Sequence, residues 1–296
     1  MALSDIAIIG PGAVGVMLGA ELLKLGHRPT YIGRHGPVAV DARIDLRDLK
    51  GQTDQRRVAT KEGEGLATAA AVFVTVKAFD LAAALAQVRH VPVKIPVITV
   101  VNGAIEGVVS QAAGRDPQRV YRLGICTIGI SALGDARFEV RSNGGEVGFG
   151  PSDGTSDAPM PIEHELTAHR PFKWHTQAVW AVRRKWLYNT VINSLTAARH
   201  MATNGALLGD MPTLVAAFDE AHRLGQSLWG AWPLSRAELY AGLLALVDAT
   251  AGNENSMARD VRLGRPTESA FLAGMATLPA FPILHKLHRT LVGETS

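Results

Sequence analysis

Residues 183–197 read RRKWLYNTVINSLTA and place Lys185, Asn189 and Asn193 four residues apart. At roughly 100° per residue, three positions spaced by four drift only about 80° around a helix, so one ammonium and two amides share a face. Such a polar stripe could form the wall of a ligand cleft. It could equally be the solvated side of an amphipathic helix whose other positions, Trp186, Leu187, Val191, Ile192 and Leu195, belong in a core. The stripe alone leaves both readings open.

A second constellation is GPGAVG, which sets Gly10, Gly12 and Gly15 at the G-x-G-x-x-G spacing. Gly10 permits a tight turn, Gly12 lets the backbone approach a pyrophosphate, and Gly15 lets a helix pack close on a strand, with the helix N-terminus facing the anion. The spacing is weak by itself and gains weight from its place between an apolar run and a helical pattern. About 20 residues further on, an acid would accept bonds from the ribose hydroxyls of NAD. The chain reads YIGRHG there, with Arg34 and no acid. A guanidinium at that point suits a 2′-phosphate, which favours NADP(H), although a solvated loop arginine would look the same.

The elements that must position these residues follow from hydrophobic periodicity. DIAIIG (5–10) reads as a strand, AVGVMLGAELLKLG (13–26) as a helix stopped by Gly26, and PTYIG as a second strand. The pattern recurs in AVFVTV (71–76), FDLAAALAQVRH and IPVITVV (95–101). Near-continuous Val/Ile runs alternating with helices predict a parallel sheet covered on both faces. After residue 120 the texture changes to VYRLGICTIGIS, RFEVRS and GEVGFG, read as antiparallel strands, with NGG (143–145) as a hairpin turn. Residues 151–161 read as a surface loop. From about 177 onward helical patterns run in series, punctuated by Gly209, Pro212, Pro233, Gly252 and Pro266. The expectation is an α/β chain: a Rossmann-type doubly wound dinucleotide-binding domain over 1–176 and an all-helical substrate and catalytic domain over 177–296.

Composition narrows the classes further. In 296 residues, 47% hydrophobic content is ample for packed cores. Thirty basic residues against 27 acidic ones give a charge of only +3, and the basic residues are scattered, so nucleic acid is a poor partner while an anionic small molecule suits the balance. No run of about 18 uninterrupted apolar residues predicts a membrane span, and Asp5 with the early glycines speaks against a secretion signal. The single cysteine, Cys126, permits no intrachain disulfide and fits a cytoplasmic location; it reads as a small core residue. HELTAH (164–169) spaces its histidines by five rather than four, and His285 and His288 of HKLHR lack acids or cysteine nearby, so no metal site is expected.

Taken in order, GPGAVG, VKAFD with Lys77, VVNGA with Asn102, KWLYNTVIN, NENSM with Asn253 and Ser256, and GRPTE with Glu268 resemble the ketopantoate reductase (2-dehydropantoate 2-reductase) family over nearly the whole chain. The resemblance implies NADPH-dependent reduction of 2-dehydropantoate to pantoate, as in pantothenate biosynthesis. It implies that Arg34 holds the 2′-phosphate and that Lys77 and Asn102 flank the nicotinamide ribose. Lys185 looks like the family's proton donor, and Asn189, Asn193 and Asn204 like its substrate ligands. Asn253 with Ser256 resembles the pair gripping the substrate carboxylate, and Glu268 the cofactor-side acid that bonds the ribose and holds the lysine's environment. Such chemistry is coherent, because an ammonium can stabilise the charge left on a reduced carbonyl oxygen and then protonate it.

The chain departs from the family's pattern at Ile105, where glycine is usual, at Ala270, where an aspartate is usual, and at Ala273, where an asparagine is usual. Those positions bear on substrate identity and leave cofactor chemistry standing. A reductase of a different 2-oxo acid and a non-catalytic NADPH-binding sensor are the rival readings; the retained Lys185 argues against the sensor. The apolar helical domain could bury its faces internally or against a second copy, which leaves a homodimer open.

Overall fold

The computed structural model describes residues 3–47, 53–60, 66–141, 144–155 and 157–294. They divide into two compact units, Met1–Val101 with Ile105–Ala181, and Asn102–Ala104 with Val182–Ser296.

The first unit opens with β1 (Asp5–Ile9), α1 (Ala13–Lys24), β2 (Arg28–Gly33) and β3 (Gly36–Val38), then β4 (Val40–Arg47) and β5 (Thr53–Thr60). It continues with β6 (Ala71–Val74), α2 (Leu81–Gln87), β7 (Val97–Val100) and α3 (Glu106–Arg115). It ends with β8 (Tyr121–Cys126), β9 (Gly129–Gly134), β10 (Arg137–Arg141), β11 (Val147–Pro151), α4 (Pro161–Thr167) and β12 (Phe172–Trp174). An eight-stranded sheet has the order β12-β11-β8-β7-β6-β1-β2-β3. Its centre is parallel: β1 pairs with β2 and β6, β6 with β7, and β7 with β8. Every residue of β6 and β7 is buried, as the unbroken Val/Ile runs require when both faces are covered. One end is finished by β11, antiparallel to β8, and β12, parallel to β11.

A second sheet, ordered β5-β4-β10-β9, is not foreseen as a separate sheet: RFEVRS reads as a strand and becomes β10, whereas β4 and β5 give no strand signal. Its strands are polar on one side, where Arg57 pairs with Asp41 at 2.6 Å, and bury Ala42, Ile44, Val58 and Val140 on the other. The predicted hairpin at NGG is also corrected. The strands before and after it go to different sheets, β10 to β9 and β4, and β11 to β8 and β12. Asn143 lies outside the described residues; Gly144 has φ +76, a turn conformation without a hairpin around it. A two-residue turn signal is local, whereas the destination of each strand follows what it buries: all of β11 is buried, so it joins the main sheet. The loop expected at 151–161 gives way to α4 at Pro161. There Glu163, fully buried, accepts from Arg122 at 2.9 and 3.2 Å and from the Met160 amide at 2.7 Å, so the buried charge is paired and hydrogen-bonded.

The helices of the second unit are α5 (Ala178–Ala198), whose residues from Val182 belong to it, α6 (Met211–Trp229), α7 (Arg236–Ala249), α8 (Ser256–Arg262) and α9 (Pro282–Leu291). The sequence's punctuation marks their ends. Asp210 accepts the Thr213 amide at the start of α6, where Pro212 occupies a first-turn position that needs no N–H. Ser235 and Glu238 form a capping box opening α7. The core gathers Trp186, Leu187, Val191, Ile192 and Leu195 of α5 around Phe218, Leu243 and Leu284. No described helix is long and apolar enough to cross a membrane.

Candidate functional site

In the first unit, the residues expected to bind a dinucleotide follow the carboxyl ends of adjacent parallel strands. Gly10 comes directly after β1 and Arg34 directly after β2, while Lys77 stands three residues past β6. Open α/β sheets bind ligands at such strand ends. The turn itself is tied at three points. The Gly10 amide donates to the Ile32 carbonyl at 3.0 Å, the Thr75 amide to the Ile9 carbonyl at 2.8 Å, and the Thr75 hydroxyl to the Gly10 carbonyl at 2.8 Å.

Each glycine has its own reason. Gly10 has φ +104, and a Cβ there would lie 2.9 Å from Val76 Cγ1 and 3.0 Å from the Val76 amide nitrogen. A Cβ on Gly15 would strike the Gly10 carbonyl oxygen and come within 2.8 Å of Thr75 Oγ1. At Gly12 a Cβ would meet no atom within 4 Å, so the absence of a side chain keeps open space rather than relieving a contact. Gly12 is also the N-cap of α1, with no side chain capping the helix and no acid in the first turn. Free amides at a helix start beside open space are what a pyrophosphate requires, so the turn fits a dinucleotide.

In the second unit, α5 carries Lys185 and Asn189, both half-buried, and Asn193, 7% exposed. Trp186, adjacent to Lys185, donates its indole N–H to the Phe271 carbonyl at 3.0 Å. The same carbonyl accepts the Ala104 amide at 3.0 Å, and the Phe271 amide donates to the Glu268 carbonyl at 3.0 Å. This chain of bonds brings α5, the buried Glu268 and the Asn102–Ala104 stretch together. Asn102 is half-buried, and Gly103 behind it has φ +98, which only glycine adopts without strain.

Asn204, 6% exposed, lies in a second network. Its amide donates to Thr250 Oγ1 at 3.0 Å, and its oxygen accepts from Asn255 Nδ2 at 2.9 Å. Its backbone amide donates to the Asn253 carbonyl at 2.9 Å. Asn255 also donates to Thr196 Oγ1 of α5 at 2.6 Å and accepts from the Met257 and Ala258 amides, so it caps α8 while tying that helix to α5. Ser256 is the exposed first residue of α8. Between Asn253 and Asn255, Glu254 accepts from Arg262 at 2.7 and 3.0 Å and from Arg259 at 3.0 Å. The bond from Arg262, followed by that from Arg259, lowers its carboxyl from the ordinary range to about 2.

Several residues around these networks are not marked by sequence pattern. Thr75 and Asp80 carry no signal, because their partners are 65 and 46 residues away. The spacing of Trp186 marks only a core residue. Asn255 stood in the quoted NENSM, and an asparagine before a helical run is an N-cap signature, so its capping half was legible. Of the discounted histidines, His288 Nδ1 lies 3.0 Å from Ser269 Oγ, and burial pushes its pKa down. Among the described residues no group of three or more His, Cys, Asp or Glu could hold a metal ion.

Fold and turn together define a Rossmann-type α/β protein with a helical C-terminal part. The chain belongs to the ketopantoate reductase family, a family of oxidoreductases: the family model for ketopantoate reductase PanE/ApbA matches residues 6–154, and that for the PanE/ApbA C terminal matches 178–278. Among curated relatives, the 2-dehydropantoate 2-reductase of Vibrio cholerae is 28% identical over 278 residues, spanning 91% of this chain and 88% of that one. A dimeric ketopantoate reductase from Staphylococcus aureus shares the fold with a TM-score of 0.76 at 18% identity, covering 98% of each chain. So does a D-mandelate dehydrogenase solved with NADH and anilino(oxo)acetate, with a TM-score of 0.76 at 17% identity over 98% of this chain and 97% of the other.

Proposed function

We propose that this protein reduces a 2-oxo acid to the 2-hydroxy acid with NADPH, and that 2-dehydropantoate, reduced to pantoate for pantothenate biosynthesis, is the first candidate substrate. The observation that carries the reading is the burial of the α5 stripe. Lys185, Asn189 and Asn193 are half-buried to buried, not the exposed side of an amphipathic helix.

In this reading Gly10, Gly12, Gly15 and the start of α1 hold the pyrophosphate, Arg34 the 2′-phosphate, and Lys77, Asn102 and Glu268 the ribose beside the nicotinamide. The bound reduced nicotinamide supplies a hydride. The ketone oxygen gains an electron pair as its carbon is reduced, and the Lys185 ammonium stabilises that charge and transfers a proton to it. The resulting amine regains its proton from solvent. Asn189, Asn193 and Asn204 orient the substrate without adding a competing charge, and Asn253 with Ser256 takes its carboxylate. Asn255 and the Arg259–Glu254–Arg262 group act as positioning residues for that segment.

A related reading, a reductase of a different 2-oxo acid, draws support from Ala270 and Ala273, which lack the acid and amide usual at those positions. The partner is a small anionic molecule and the compartment the cytoplasm. A homodimer is the proposed assembly, by likeness to the dimeric S. aureus protein. The test is oxidation of NADPH by purified protein across a panel of 2-oxo acids, followed by the near-ultraviolet absorbance of reduced nicotinamide. Turnover with 2-dehydropantoate above the others supports the first reading, turnover with another acid supports the second, and no oxidation with any of them sinks both.

A further inference from the structure

Arg34 does not stand alone at the end of β2. Its Nη2 donates to both carboxylate oxygens of Asp80, at 3.1 and 3.3 Å. Asp80 ends a short 3-10 turn, Ala78–Asp80, that follows β6. Because β1 lies between β6 and β2 in the sheet, the two side chains come from strands roughly 9–10 Å apart and meet beyond the end of the strand that carries the glycine turn. The acid that an NAD-type fold places after its second strand is missing from YIGRHG. A carboxylate is nevertheless supplied to the same neighbourhood from 46 residues further along the chain.

We infer that Arg34 and Asp80 together form a two-way cofactor selector, with Arg34 receiving the 2′-phosphate of NADP(H) and Asp80 accepting from the free 2′-hydroxyl of NAD(H). The inference rests on the dinucleotide reading above. The charges explain the division. A 2′-phosphate dianion is attracted by the guanidinium and repelled by the carboxylate bound to it, so Asp80 competes with the phosphate for Arg34. The neutral ribose of NAD(H) brings no such repulsion, and a carboxylate is its usual acceptor. Both side chains keep solvent access, 78% for Arg34 and 35% for Asp80, so a ligand can reach the pair. Asp80 takes one nitrogen of a guanidinium that offers five N–H donors, which leaves Arg34 able to bind a phosphate without first unfolding the turn. The result is a site tuned to accept both cofactors, with NADP(H) preferred by a margin that Asp80 holds down.

The test measures NADP+ and NAD+ binding by calorimetry, which needs no oxo acid substrate, alongside kcat/KM for NADPH and NADH. Wild type, Asp80→Asn and Arg34→Gln are compared. The expected result is that wild type binds both. Asp80→Asn then raises the NADP+ to NAD+ affinity ratio by about three- to five-fold, the range of a solvent-screened charge pair, by tightening one and weakening the other. Arg34→Gln inverts the preference. An unchanged or lowered ratio in Asp80→Asn, with both variants as heat-stable as wild type, overturns the selector and leaves the dinucleotide reading intact. Failure of wild type to bind either nucleotide overturns both. Binding without turnover of any 2-oxo acid removes the proposed reaction, while the ratio still decides the selector.

Discussion

The candidate sites of the two units are built from different materials. In the first unit the glycine turn is a backbone site: three glycines, the ends of three adjacent strands and the opening amides of α1, tied by Thr75. In the second unit the site is side chains: the stripe on α5, the Trp186 anchor on Phe271, and an amide network through Asn204 and Asn255. A backbone site needs side chains to be absent, and its tolerance depends on where a Cβ would go. A side-chain site needs each partner present, and its failure follows the loss of donors and acceptors.

The sharpest break in this contrast is between neighbouring glycines. Gly15→Val drives side-chain carbons into the Gly10 carbonyl oxygen and Thr75, so it should destabilise the first unit by at least about 2 kcal/mol in denaturant melts, and cofactor binding should go with it. Gly12→Ser meets open space and adds a good N-cap side chain. Its melting temperature should hold while NADPH affinity falls at least about tenfold, because only the ligand is displaced. Equal loss of stability in the two variants would remove the distinction.

Next in size comes Asn255→Ala, which deletes the α8 cap and the donors to Thr196 and Asn204, for about 2–3 kcal/mol by the same melts. Asn255→Asp keeps the cap oxygens but has no donor to offer Asn204 Oδ1, so it should recover only the capping part. Full recovery would show that the network through Asn204 contributes nothing.

The smallest effect concerns Glu254. Its carboxyl is lowered to about 2 by Arg262 and Arg259, so its contribution is fully present above the ordinary carboxylate pKa and is lost as pH falls from there towards about 2. Solvent screening limits it to about 1 kcal/mol. Wild type and Glu254→Gln should therefore differ in stability at pH 7 and converge at the acid end. A gap that persists unchanged at low pH would contradict the ion-pair account.

The same contrast governs what the sequence made legible. The strands at the centre of the main sheet were readable because burial on both faces leaves continuous apolar runs such as AVFV and VITV. The glycine turn was readable because backbone demands fall on one residue type at fixed spacing. Two strands of the small sheet were not: VDARIDLR and TDQRRVAT bury only Ala42, Ile44 and Val58, too few to stand out among the arginines and aspartates around them. The α5 stripe was visible as a polar face, yet its meaning depended on burial, which spacing cannot report. Asp80 was invisible as a partner of Arg34, because nothing local links residues 46 apart.

The central claim is that the α5 stripe performs chemistry through Lys185. Its most direct test is the comparison of turnover and NADPH binding in Lys185→Met, which keeps the aliphatic stem and removes the ammonium. The account predicts that kcat on the wild-type enzyme's best 2-oxo acid falls by about 10²–10⁴ while NADPH affinity stays within about twofold. Turnover at the wild-type rate would contradict it.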